Sequence, residues 1–228
     1  MDRVAWSKPR GGPAVMSLPD GPSHTKQKLP SGSSPWKAAR TDKFDGPTLD
    51  TSVWSIFNED KENWRLDKGD LVIQSTDGDF WQRRRDGVNL FLQDLADESY
   101  SVRTKLTFDA QGGHEQASLV LWQDMDNYLM LESAFVHVPR FEVALEQLGK
   151  VSVSLRPNEI GKIAWLRMDV NGKRVRCYVS GDGSQWKEIV EPFPIRFDPR
   201  KVGIGAWSPG REGKGEARFS EFVFQEKK

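Results

Sequence analysis

The chain has one cysteine, Cys177, among 228 residues. A lone thiol forbids an intramolecular disulfide and any zinc site built from several cysteines. Charge of one sign is also missing, because 33 Lys and Arg are balanced by 33 Asp and Glu. A whole-chain electrostatic case for nucleic acid or for an anionic membrane surface therefore fails. No apolar run approaches the roughly 20 residues that span a bilayer, and the opening from Met1 to Arg10 lacks the apolar segment of a signal peptide. No membrane or secretory address is read from this chain, and its compartment stays open. Sustained 3.6-residue periodicity is absent beyond a turn or two near Asp94 to Ser99, and no internal repeat signals a propeller. What is present is apolar mass. With 37% hydrophobic residues, 9 Trp and 12 Phe, the chain can bury one substantial core, which excludes disorder throughout.

Residues 1–34 differ from the rest. Pro9, Gly11, Gly12, Pro13, Pro19, Gly21, Pro22, Pro30 and Gly32 leave little room for regular structure, so the segment reads as an extended arm. Only short strand fragments are expected there, near Val4 to Trp6 and Pro13 to Met16. Residues 35–228 read as one domain with a repeated period of two. In Tyr100 to Phe108, Tyr100, Val102, Leu106 and Phe108 point one way while Ser101, Arg103, Lys105 and Thr107 point the other. The same alternation runs through Val151 to Leu155, Trp165 to Val170 and Arg174 to Val179, and it places Cys177 inside. Asn171-Gly172 between two such runs is a strong hairpin signal, and Gly181-Asp182-Gly183 separates the next pair. Short strands with frequent turns predict an all-β fold, a two-sheet antiparallel jelly-roll sandwich with an extended N-terminal arm.

One set of segments resembles a known family. Phe44-Asp45-Gly46-Pro47-Thr48-Leu49-Asp50, Trp54, Glu62 to Leu66 and Gly69-Asp70-Leu71 are similar to the opening of the concanavalin A-like sandwich that ends glycoside hydrolase family 43 β-xylosidases and arabinofuranosidases. The resemblance continues through Asn89 to Gln93, Gln116 to Leu121, Asp126-Asn127-Tyr128, Tyr178 to Trp186 and Val202 to Gly205, and closes in the strand from Arg218 to Phe224. The arm adds Met1 to Trp6, Gly12 to Val15 and Gly21 to Thr25, which look like the last strands of that family's catalytic propeller and its tether. The resemblance implies a non-catalytic module of a glycosidase that binds xylan- or arabinan-type oligosaccharide weakly or caps a partner catalytic propeller. It also implies that a sandwich loop helps to close the catalytic pocket, a role that Phe135 to Phe141 would fill. The propeller's acid, base and pKa-modulating carboxylates would lie upstream, so the chain alone is expected to lack hydrolase activity. Two alternatives stay open: a fragment of an active β-xylosidase or arabinofuranosidase, and a stand-alone regulatory or protein-binding sandwich.

The residues themselves offer few catalytic constellations. Glycoside hydrolysis needs two carboxyl groups at a set separation, and Glu132, Glu142 and Asp169 read more simply as strand faces or ion-pair partners. His24, His114 and His137 have no ligand-spaced companions in sequence. Cofactors are expected to be none, apart from a structural calcium, for which Asp42, Asp45 and Asp50 supply oxygen ligands. Aromatics carry the positive signal. Trp122 alternates against Leu119 and Leu121, and Trp207 against Val202, Ile204 and Ala206, so both face away from the inter-sheet core. With Trp81 and Tyr128 they would form stacking platforms for sugar rings, and Asn89, Gln93 and Glu132 would hydrogen-bond hydroxyls. The competing expectation is that these rings are covered by the arm or by a partner domain. Trp54, Trp64 and Trp186 are assigned to packing, and Arg83-Arg84-Arg85 to a solvated loop.

Overall fold

The computed structural model describes residues 5–7, 15–17, 39–81, 84–110, 112–210 and 215–227. The chain divides into two compact units, Met1–Trp36 and Lys37–Lys228. In the first, β1 (Ala5–Ser7) and β2 (Val15–Ser17) pair antiparallel. The remainder of the expected arm lies outside the described residues.

The second unit is a two-sheet antiparallel sandwich. Its strands are β3 (Trp54–Phe57), β4 (Trp64–Asp67), β5 (Asp70–Gln74), β6 (Leu90–Asp94), β7 (Ser99–Phe108), β8 (Glu115–Asp124), β9 (Asn127–Val136) and β10 (Val138–Gln147). There follow β11 (Lys150–Pro157), β12 (Ile163–Asn171), β13 (Arg174–Ser180), β14 (Lys187–Glu188), β15 (Phe193–Pro194), β16 (Lys201–Trp207) and β17 (Glu216–Glu226). One sheet has seven strands in the order β11-β10-β9-β8-β16-β6-β3. The other has eight, β14-β13-β12-β7-β17-β5-β4, with β15 joined to β13. Apart from strands, the described residues contain a single 3₁₀ turn, Lys61–Asn63, whose first N–H groups are capped by Asp60.

The period-two pattern is the cause of the layering. Along β7, Tyr100, Val102, Leu106 and Phe108 are buried and Ser101, Arg103, Lys105 and Thr107 are half-buried, as the alternation requires. Thr104 shares the inner side and donates its hydroxyl to the Glu221 carbonyl at 2.5 Å, so it carries no unpaired polar group inward. The inner faces of the two sheets interdigitate through Phe91, Leu119, Leu121, Leu129, Leu131, Phe141, Leu166, Met168, Ile204, Phe219 and others. Each such side chain contributes on the order of 1.5–3 kcal/mol by leaving water. Cys177 lies in this core, where burial pushes its thiol pKa up. The hairpin at Asn171-Gly172 forms, with Gly172 at φ +56°, the left-handed conformation that glycine accepts without strain.

A second apolar cluster lies on the outer side of the seven-stranded sheet. It comprises Phe80, Leu90, Leu92, Val120, Trp122, Tyr128, Met130, Ala144 and Trp207, edged by Phe57, Trp81 and Met125. The strands β8 and β9 are consequently buried on both faces, and their sequences read as near-continuous apolar runs rather than alternations.

Candidate functional site

The cover of this second cluster comes from the described residues 75–81 and 84–89 of the connection between β5 in one sheet and β6 in the other. Its Phe80 ring is fully buried, edge-on to Trp207 at 5.1 Å, Trp122 at 5.6 Å and Phe57 at 5.9 Å between centroids. Polar contacts hold the strap in place. Tyr128 Oη lies 2.6 Å from the Phe80 carbonyl and 2.8 Å from Glu146 Oε2. Arg84 pairs with Asp77 at 3.1 Å and Asp86 at 2.7 Å, Arg85 with Asp126 at 2.8 Å, and Ser208 N donates to the Thr76 carbonyl at 2.8 Å. On β16, Gly205 leaves the room that the Trp207 ring occupies, since a Cβ there would stand 2.4 Å from that ring.

This arrangement settles where each candidate binding residue lies. Trp122 and Trp207 do face away from the inter-sheet core, yet the strap buries them, and Tyr128 with them. A bulge between Trp122 and Asp124 puts Tyr128 directly opposite Trp122, with the two rings stacked at 5.6 Å. None of the three offers a free face to a sugar. The rings of the strap that cover them belong to a loop of the sandwich itself, which carries no periodic signal in sequence. Asn89 is buried and closes a local ring, accepting from Asp60 N at 2.8 Å and donating to the Asp60 carbonyl at 3.0 Å. Gln93 is buried and accepts from Arg40 N at 2.7 Å, while its side-chain nitrogen has no partner. Trp54 is core, Trp64 is partly buried against it, and Trp186 is half-buried on the opposite sheet.

Trp81 and Glu132 are brought together, at a depression of about 440 Å³ beside the strap. Its walls carry Asp79, His114, Gln116, Arg140 and Glu142, and its apolar side includes Val136, Val153 and Leu155. Three carboxylates meet here because Glu132 and Glu142 are direct cross-strand partners on β9 and β10 and the strap brings in Asp79. Glu132 accepts from Ser118 Oγ at 3.1 Å; oriented to satisfy both neighbours, the Gln116 amide donates to Glu132 at 2.8 Å and accepts from Trp207 Nε1. Burial, then the charges of Glu142 and Asp79, push the Glu132 pKa well above the usual carboxylate range. Burial likewise raises Asp79 to about 6, against the backbone N–H bonds it accepts from Phe80 and Trp81. Arg140 pairs with Glu142. The site thus offers hydrogen-bond donors and acceptors of both kinds around one half-exposed indole, which suits a polyhydroxylated ligand.

Sequence spacing gave no reason to relate His114 and His137, but strand pairing brings their rings to 6.4 Å, and both residues sit at positive φ. Among the described residues, no group of three or more His, Cys, Asp or Glu is placed to hold a metal ion. The aspartates considered for calcium do not converge: Asp42 accepts from Phe44 N and Trp54 Nε1 at 2.8 Å each, and Asp50 holds Arg40 and Ser52. Asp45 is exposed and lies outside any strand. That donor set does not fit a calcium cage, and no role is assigned to one.

Among the described residues, no helix is long and apolar enough to cross a membrane. No curated protein matched the chain. Solved structures did. The GH43 protein BlXynB from Bacillus licheniformis superimposes with a TM-score of 0.73 at 22% identity, over 99% of this chain and 46% of that one. Xylan beta-1,4-xylosidase from Bacillus halodurans C-125 gives 0.69 at 18% identity, again over 99% and 46%. A functionally unknown protein from Saccharomyces cerevisiae gives 0.63 at 17% identity, over 78% of this chain and 98% of that one. These likenesses establish a shared fold, and the chain spans about half the length of the first two. The model of the beta xylosidase C-terminal concanavalin A-like domain matches residues 41–225, nearly the whole sandwich, and the chain belongs to that family.

Proposed function

We propose that this sandwich is the accessory, non-catalytic module of a family 43 glycosidase, seated against a catalytic propeller and presenting its outer-face depression to xylan- or arabinan-type oligosaccharides. The observation that carries the reading is the edge strand β11. Its alternation Val151, Val153, Leu155 against Ser152, Ser154 is oriented in reverse of the other strands. Register opposite Glu146, Ala144 and Glu142 puts the apolar set on the outer face, beside the depression, and the serines on the core side. Val153 and Leu155 remain 43% and 44% exposed. The first residue of β10, Val138, adds 60%. An edge strand and a hairpin tip that keep apolar side chains in water suit an interface with another domain. A propeller is the occupant that family membership favours, and the B. licheniformis and B. halodurans chains are each about twice this length.

Purified propeller halves of two family 43 xylosidases, mixed with the chain, are expected to bind with micromolar affinity, weakened at least tenfold by Val153→Glu. Xylo-oligosaccharide is expected to change Trp81 fluorescence in the complex. No association with either propeller, together with no response to xylo- or arabino-oligosaccharides up to about 10 mM, the weak end for small ligands, would overturn the proposal. That outcome favours a stand-alone sandwich, for which the S. cerevisiae chain, almost wholly covered by this fold, is a precedent.

A further inference from the structure

The opposite side of the molecule carries unabsorbed chemistry. On the outer face of the eight-stranded sheet, β7 presents Arg103 and Lys105, β12 presents Trp165 and Arg167, and β13 presents Tyr178, all half-buried. Register sets Arg103 directly opposite Arg167, a like-charged pair on two central strands that is unfavourable unless something compensates it. Arg167 is compensated. It donates to Asp169 through Nε at 3.0 Å and Nη2 at 2.7 Å, and its guanidinium lies 4.6 Å from the Tyr178 ring and 4.9 Å from that of Trp186.

Arg103 is not. Its guanidinium stands 5.7 Å from the Trp165 ring, its Nε is buried with no acceptor, and it forms no ion pair among the described residues. Lys105 is two residues along the same face and, among the described residues, forms no ion pair, not even with its register partner Glu221. Two cations without an ion pair among the described residues, next to a guanidinium held between aromatic rings, ask for an anion with an apolar side. With Nε buried, Arg103 has its terminal Nη groups left for a carboxylate, and a sugar ring attached to that carboxylate would meet the neighbouring indole and phenol edges. From this we propose that the outer face of the eight-stranded sheet binds oligosaccharides bearing a uronic acid, with Arg103 and Lys105 taking the carboxylate. The proposal rests on the saccharide part of the function above, but on a different face.

The test is calorimetric titration of the full chain with glucuronosyl-xylotriose and with neutral xylotetraose, at 20 and 300 mM NaCl. Inorganic phosphate serves as an anion without a ring. The acidic sugar is expected to bind at least tenfold more tightly than the neutral one at low salt, with most of that preference lost at 300 mM. Arg103→Gln should abolish the preference, Lys105→Gln should reduce it about threefold, and Lys68→Gln, on a distant turn, should leave it unchanged. Should Arg103→Gln lose its cooperative melt, Lys105→Gln and the salt dependence decide. Equal affinity for the two sugars, a preference that survives Arg103→Gln, or phosphate competing as well as the acidic sugar would each overturn the proposal. Any of these leaves propeller docking standing, because docking is read at Val153. Loss of docking with the acidic preference intact removes the module reading alone.

Discussion

The two outer faces of this sandwich solve the same problem in opposite ways. Both carry aromatic side chains on strands whose other side fills the core. On the seven-stranded sheet those rings are sealed under a strap of the chain's own making, with Phe80 as the plug and buried carboxylates along the rim. On the eight-stranded sheet Trp165, Tyr178 and, just before β14, Trp186 stay half-buried, with arginine guanidinium groups against them and the Gly183 turn against Trp165. The difference shows that an aromatic residue on the non-core side of a strand is not by itself a platform; what crosses over it decides.

The sharpest way to break that contrast is to remove the plug. Phe80→Ala deletes a fully buried ring that contacts Trp122, Trp207 and Phe57. It should cost about 3–5 kcal/mol in urea unfolding. Trp186→Ala on the open face should cost no more than about 1.5 kcal/mol, since that ring is only partly desolvated. Equal losses would mean that the strap adds nothing to packing and that both faces are surface.

A second difference is electrostatic. Asp79, carried by the strap, is buried at its base with its pKa raised to about 6, chiefly by burial. A carboxyl whose folded pKa exceeds its unfolded value holds its proton more tightly in the native state, so stability falls as pH rises between the two values. From pH 4 to pH 6.5 the chain should therefore lose up to about 3 kcal/mol, a slope that Asp79→Asn flattens. On the other sheet, burial pushes Asp169 up but hydrogen bonds from Arg167, Ser101 and Lys227 bring it below the usual range, and Arg65 lowers Glu216, so both titrate in the opposite sense. Their contribution is present at neutral pH and is lost as the pH falls below about 4. Thermal melts at closely spaced pH values separate the two windows; a stability that rises monotonically from pH 4 to 7 would contradict the assignment to Asp79.

A smaller effect is expected at Gly205. A methyl group there would stand 2.4 Å from the Trp207 ring, and the strap above leaves the ring nowhere to move. Gly205→Ala should cost about 1–3 kcal/mol, measured by the shift of the urea midpoint. Gly210→Ala on a nearby exposed turn has open space for its Cβ but sits at φ +81°, so its cost of about 1 kcal/mol reflects backbone strain alone.

How far the sequence foretold this depends on the kind of signal each element carries. The alternation in Tyr100 to Phe108 and the Asn171-Gly172 turn are local, so the strands, their hairpin and the two-sheet fold were legible from them. The outward placement of Trp122 and Trp207 followed from the same alternation. Their burial did not, because Ser75 to Asn89 has neither period nor motif, and its folding onto β8, β9 and β16 is a purely tertiary event. The meeting of His114 with His137 depends on which strands pair and with what register, which spacing in one chain does not encode. Glu132 was visible as a polar residue in an apolar run; that it would face Glu142 across two strands was not.

The strand β11 is the most instructive case. Val-Ser-Val-Ser-Leu is an ordinary alternating strand, and the natural expectation is that the valines point into the core. A period of two fixes that the valines and serines lie on opposite faces but leaves open which face is which, and at a sheet edge the neighbouring sheet no longer enforces the choice. In the fold the valines face outward, toward Trp81 and the carboxylate rim. If that apolar stripe exists for a partner, replacing Val153 by threonine should leave the isolated chain within about 0.5 kcal/mol of its original stability, while weakening propeller association several-fold. A destabilisation above about 2 kcal/mol, the range of buried apolar substitutions, would instead place Val153 in the chain's own core, and the outward register of β11 would have to be abandoned.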